Sequence, residues 1–216
     1  MDNLIQTITV YALPVLFAIT LHEAAHGYVA RHFGDLTAQE AGRISLNPLR
    51  HVDLMGTIVV PLALLLVTRL MGGGLLFGWA KPVPVNWSRL RNPKRDMLWV
   101  ALAGPASNLL QAIVWVLIWR AILETGTAGG GSFWVLMAHA GVQVNLVLMA
   151  LNLIPLPPLD GGRIVFSLLP ARAAWRYGKI EPYGIVILLV LMMTGWLWPI
   201  MEPLLAAGEW VVRAFL

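Results

Sequence analysis

Residues 4–30 read LIQTITVYALPVLFAITLHEAAHGYVA and carry no Asp, Glu, Lys or Arg before Glu23. About 20 consecutive apolar residues suffice to cross the hydrocarbon of a bilayer as a helix, so this stretch predicts a transmembrane helix. Three more stretches have the same character, at 97–119, 133–154 and 183–201. A shorter one, 54–71, runs into Gly72, Gly73 and Gly74, and the tail 203–216 reads as a short interfacial or packed helix. Composition agrees: 58% of the 216 residues are hydrophobic and 12% are charged, against about 25% charged in soluble domains. The expected architecture is an all-α polytopic membrane protein, one domain over 1–216, with a core at 4–163 and C-terminal helices at 183–216. The length leaves no room for a second soluble domain.

Charge placement gives orientation. Only Asp2 precedes the first apolar run and no Lys or Arg occurs before Arg31, so a cleaved secretory signal is not expected. Arg31, Arg43 and Arg50 follow the first helix. Lys81, Arg89, Arg91, Lys94 and Arg95 precede the second long one, and Arg163, Arg172, Arg176 and Lys179 follow the third. Short basic loops favour the cytoplasmic side, and all three groups share it if 54–80 dips in and returns with the triple glycine as its bend. A full span at 54–71 is the alternative, and it would put five basic residues outside. The net charge of +4 thus reads as membrane topology, and no nucleic-acid partner is expected. There is no cysteine, which rules out disulfides, thiolate metal sites and cysteine nucleophiles.

Within the first helix, His22-Glu23-Ala24-Ala25-His26 has the H-E-x-x-H pattern. Side chains four apart lie on one helical face, about 5–6 Å apart at Cβ, and two imidazoles so placed can share one Zn²⁺. Glu23 can then reach a water at the metal without being a ligand, the arrangement of metal-assisted hydrolysis. A purely structural cluster is the bland reading. Yet three ionisable groups in one turn of a membrane helix are costly unless paired, and such residues usually mark function. With the interface near Arg31, His22 lies roughly 13 Å deep, on the cytoplasmic side.

A catalytic zinc normally has three protein ligands. The best third candidate lies in Asn152-Leu153-Ile154-Pro155-Leu156-Pro157-Pro158-Leu159-Asp160-Gly161-Gly162. The prolines end the helix and extend their predecessors, and the two glycines permit a sharp turn before Arg163. Irregular backbone at membrane depth must be buried in protein or line a wet cavity. Asp160 there is either a metal ligand or a helix cap, and the Asn152 amide could orient substrate or stabilise an oxyanion.

These paired motifs, with Ala103-Gly104-Pro105-Ala106-Ser107-Asn108 between them, resemble the site-2 protease family of intramembrane zinc metalloproteases. The resemblance spans residues 20–163. It implies one Zn²⁺ held by His22, His26 and Asp160, Glu23 as base and Asn152 as a helper at the scissile carbonyl. It also implies a three-helix catalytic core at 4–30, 97–119 and 133–154, with transmembrane proteins as substrates in the lipid bilayer of a prokaryotic plasma membrane. The chain would be a minimal member, without PDZ or nucleotide-sensing modules.

A substrate helix must unwind to be cut, and an extended edge can replace its lost hydrogen bonds. Gly78–Asn86 resembles the family's re-entrant β segment, since proline is tolerated on edge strands, and the alternative is an irregular loop. Pro82, Val83, Pro84 and Val85, with Pro155 and Pro157 near the metal, are the expected substrate-binding residues. His51 and Asp53 read as loop residues or as gating groups, His139 as packed or pore-facing, and Gly104 and Ser107 as a small face for helix packing. Tryptophans near span ends read as an aromatic belt. Two other function classes fit an intramembrane His/Glu/Asp set: an ion or metal transporter, and a proteolytically silent membrane-binding protein.

Overall fold

The computed structural model describes residues 2–51, 53–59, 63, 81–126 and 132–216. Helix α1 covers Asp2–His32, followed by the single turn α2 at Thr37–Glu40. Then come α3 (Pro93–Glu124), α4 (Phe133–Leu153), α5 (Asp160–Leu168), α6 (Ala171–Gly178), α7 (Gly184–Met193) and α8 (Leu197–Arg213). No β-strand occurs among the described residues. The all-α expectation holds, and α1, α3 and α4 are each long and apolar enough to cross a membrane.

Local signals set the ends. Pro93 opens α3 at a position where its missing N–H costs nothing. Asp96, buried in the first turn, accepts from the Asn92 N–H at 2.7 Å. Ser132 caps α4 by accepting from the Val135 N–H. At 1.5 Å per residue, the 31 residues of α1 extend about 46 Å, beyond the ~30 Å of hydrocarbon. Its basic end, Arg31 and His32, therefore reaches past the apolar layer.

The helices α1, α3 and α4 pack on one another in all three pairings. Ala18, Val100, Ala101, Ala112 and Ala150 are fully buried at these contacts, where small side chains let the backbones approach closely. Leu110, Val114 and Leu117 on α3 are exposed, as helix faces toward lipid would be.

The C-terminal region corrects the single span expected at 183–201. Helix α7 ends at Met193, and α8 begins at Leu197 at 91° to the preceding helices. Gly195 has φ +77°, a left-handed conformation that ends helices. Thr194 assists by turning its hydroxyl onto the Val190 carbonyl at 2.8 Å. The tail is a packed helix: α8 lies on α4 with Met201, Gly208 and Val212 buried. The choice between re-entry and a full span at 54–80 rests largely on residues outside the described ones. A π-helical stretch at Leu54–Val59 precedes them, and 81–86 follows with neither helix nor strand, so the described part of the expected β segment is an irregular loop.

Candidate active site

The spacing of α1 does what the pattern predicts. His22 and His26 face the same side, 7% and 8% exposed, with ring centroids 4.7 Å apart and Nε2 atoms at 3.0 Å. The other nitrogen of each ring is engaged on α3. His26 Nδ1 meets the Val100 carbonyl at 2.7 Å, and His22 Nδ1 meets Asn108 Oδ1 at 2.6 Å. A carbonyl oxygen only accepts, so both rings carry their proton on Nδ1. A neutral imidazole has one N–H, and the Nε2 lone pairs are left facing each other.

Asp160 completes the convergence from 134 residues beyond His26 in sequence. It is the first residue of α5 and caps nothing through its side chain. Its Oδ2 lies 3.2 Å from His22 Nε2 and 3.3 Å from His26 Nε2, buried and without a hydrogen-bond donor. Gly161 and Gly162 differ from the turn expected of them: both are helical, and both serve close approach. A Cβ on Gly161 would strike the Leu153 and Ile154 carbonyls, and one on Gly162 the backbone of Leu156 and Pro157. Only glycine lets α5 fold back against the end of α4 and present Asp160 to α1.

Three ligand atoms from His22, His26 and Asp160 lie within 4.8 Å of one another. Two lone pairs and a carboxylate oxygen meet with no proton between them, which is unfavourable unless a cation sits there. Two imidazoles with a carboxylate form a donor set used by catalytic zinc. Space is kept for an ion by Gly104 on α3, whose added Cβ would stand 2.5 Å from His22 Cε1 and Nε2 and press on His26 Nε2. The donors and the cradle fit zinc.

Glu23 is half-buried on the adjoining face, and its Oε2 accepts from the Val83 N–H at 2.7 Å. The segment 81–86 is thus anchored on the glutamate of the motif. A second anchor is Asp35, fully buried just past α1. Its Oδ2 accepts from the Asn86 N–H at 2.6 Å and its Oδ1 from the Thr37 N–H at 3.0 Å. The Lys81 N–H donates to the His51 carbonyl at 2.9 Å.

Of the remaining expected residues, Asn152 is half-buried near the end of α4, its Nδ2 donating to the Leu148 carbonyl at 3.0 Å. Pro82, Pro84 and Pro155 are exposed, Val85 is intermediate, and Val83 and Pro157 are buried. His51 is a buried loop residue with Nε2 on the Ser45 carbonyl at 2.9 Å. Asp53 accepts from the Gly56 N–H at 2.6 Å, and Gly78–Ala80 lie outside the described residues. His139 is exposed and stacks edge-on against Trp119. Asn108, Gly104 and Asp35 were not legible as site residues. Asn108 and Gly104 show only the small-and-polar pattern of helix packing, and Asp35 follows a glycine in an ordinary turn.

A family model described as Peptidase family M50 matches residues 120–195. A Bacillus subtilis (strain 168) protein named "Putative zinc metalloprotease YwhC" is 37% identical over 207 residues, covering 91% of this chain and 86% of the relative. A Mycolicibacterium smegmatis (strain ATCC 700084 / mc(2)155) protein named "Putative zinc metalloprotease Rip2" is 29% identical over 180 residues, covering 83% of this chain and 64% of its own length. Its Mycobacterium tuberculosis (strain ATCC 25618 / H37Rv) namesake is 26% identical over 185 residues, at 84% and 67%. No solved structure matches the chain.

Proposed function

The chain belongs to peptidase family M50 and is a zinc metalloprotease, and we propose that it hydrolyses peptide bonds within transmembrane segments of other membrane proteins. In this reading His22, His26 and Asp160 hold one zinc ion and Glu23 is the general base. The observation that carries it is the meeting of three ligand atoms, drawn from both ends of the core, inside a bundle of membrane-spanning length. When bound, zinc supplies Lewis acidity that polarises the scissile carbonyl and makes water nucleophilic near neutral pH.

The chain's own residues do the rest. Val100 and Asn108 hold the imidazoles by Nδ1, which keeps each Nε2 aimed at the metal. Glu23 accepts the proton of the attacking water and returns it to the leaving amine. Its Oε2 accepts from the Val83 N–H, which holds the carboxylate in place. Asn152 spends one amide N–H on Leu148 and has a second for the developing oxyanion. The segment beside Glu23 would receive an unwound substrate around Pro82, Val83, Pro84 and Val85, with Pro155 and Pro157 as further contacts. Since the Lys81, Val83 and Asn86 N–H groups are bonded within the protein and prolines have none, pairing there would use carbonyl oxygens and the Val85 N–H. The basic loops favour an active site near the cytoplasmic face of a bacterial plasma membrane.

The test is cleavage of a fluorogenic transmembrane peptide by the purified protein in proteoliposomes, with zinc, with chelator and with Glu23→Gln. Cleavage should require zinc and vanish in the variant while its zinc content persists. Cleavage by Glu23→Gln at the wild-type rate would overturn the assignment, and zinc flux without cleavage would favour transport.

A further inference from the structure

The polar interior of the three-helix core has a direction. Asn108 on α3 and Asn145 on α4 are both fully buried. Asn145 Nδ2 donates to the Gly141 carbonyl at 2.9 Å, which leaves its Oδ1 as an acceptor. Asn108 Nδ2 donates to that Oδ1 at 2.9 Å and to the Ala18 carbonyl on α1 at 3.3 Å. This fixes Asn108 Oδ1 as the atom that meets His22 Nδ1 at 2.6 Å. An amide can sit in either of two flipped orientations, and the partners of its nitrogen decide between them. Here the decision starts at a backbone carbonyl of α4 and ends on an imidazole of α1.

We infer that Asn145 is a positioning residue of the zinc site: acting through Asn108, it sets which ring nitrogen of His22 faces the metal. The inference rests on His22 being a ligand. Without the Asn145 oxygen, the Asn108 nitrogen keeps only the longer bond to Ala18. A flipped Asn108 then offers an N–H to His22 Nδ1. The ring proton moves to Nε2, and the lone pair that would hold zinc is gone. Asn145 thereby acts on a metal site it does not touch, and a residue that merely filled space would have no such reach.

The experiment measures zinc dissociation constants by competition with a chromophoric chelator. It uses the full chain in detergent, in a Glu23→Gln background so that turnover does not enter. Absorption of the Co²⁺-loaded protein is the second readout. Asn145→Leu is expected to weaken zinc about 10- to 100-fold, the usual cost of losing a partner that orients a ligand. Asn108→Leu should do the same, and the double variant should be no weaker than Asn108→Leu alone, since both act through one amide. Asn145→Asp serves should the leucine variant fail to fold. Its protonated acid still donates to Gly141 and accepts from Asn108, so affinity and the Co²⁺ spectrum should stay near wild type. Wild-type affinity in Asn145→Leu, additive losses in the double variant, or an Asn145→Asp as weak as the leucine would each overturn the inference. His22→Ala is measured alongside: wild-type affinity there would instead defeat the reading of His22 as a ligand.

Discussion

Replacing Gly104 with alanine adds one methyl group at the floor of the proposed zinc site. That Cβ would stand 2.5 Å from His22 Cε1 and Nε2, about 0.9 Å inside the 3.4 Å at which ordinary contact begins. Neither side can yield cheaply. The imidazoles are tied to α3 through Asn108 and Val100 at 2.6 and 2.7 Å, and Gly104 is on the same helix. Moving α3 away therefore stretches both bonds by the amount gained. Metal sites tolerate errors of only about 0.2 Å in ligand distance, so a displacement of several tenths is large for a zinc ligand. Zinc affinity should fall by at least about tenfold, and cleavage by about 100-fold, as a misplacement near 1 Å can cost. The assays are chelator competition for zinc and cleavage of a transmembrane reporter, with far-UV circular dichroism to confirm folding. Gly208→Ala is the control. It meets the flexible ends of Met149 and Leu146 at 2.7 and 2.8 Å, so it should disturb packing and leave zinc affinity alone. A Gly104→Ala protein with wild-type zinc affinity and cleavage rate would refute the claim that the missing side chain shapes the site.

Gly161→Ala pushes α5 off the Leu153 and Ile154 carbonyls and carries Asp160 with it; zinc content should drop sharply while α1 to α4 keep their helicity, both read on the purified variant. Removing zinc by dialysis against chelator should lower Tm reversibly, since about 2.7 kcal/mol of stabilisation accompanies zinc at 100 times its dissociation constant; an unchanged Tm would mean that the cluster is satisfied without a cation. Asp35→Asn weakens a buried carboxylate that holds Asn86 and Thr37; a cost of about 1–3 kcal/mol in stability is expected, with KM raised more than kcat is lowered if 81–86 receives substrate. Asn152→Leu should lower kcat about 100- to 1,000-fold with zinc retained, and unchanged kcat would remove Asn152 from the oxyanion role.

What the sequence made legible follows from how local each signal is. The pairing of His22 with His26 needs only helical periodicity, and the structure places them as the spacing predicts. Asp160 was a candidate because prolines and glycines in an apolar setting signal irregular backbone, but the residues alone left a helix cap as the alternative and the family resemblance supplied the ligand role. Gly161 and Gly162 act by close approach inside a helix and not as a turn. Three of the four long spans stand. The fourth breaks because hydropathy is blind to one backbone angle, that of Gly195. Gly104, Asn108 and Asn145 look alike in sequence to any small or polar residue between packed helices. Their roles depend on how α3 is rotated against α1 and α4, which no short stretch encodes. The bonds from Val83 to Glu23 and from Asn86 to Asp35 were hidden likewise, since a backbone donor leaves no mark on residue type.

The most direct test is the zinc bound per chain in the wild-type protein and in His22→Ala, His26→Ala and Asp160→Ala, each purified in detergent and confirmed as folded. The expected result is one zinc for the wild type and near-complete loss in all three variants, Asp160→Ala included, although that carboxylate lies far along the chain from the histidines. A folded Asp160→Ala protein that keeps its full zinc would contradict the account.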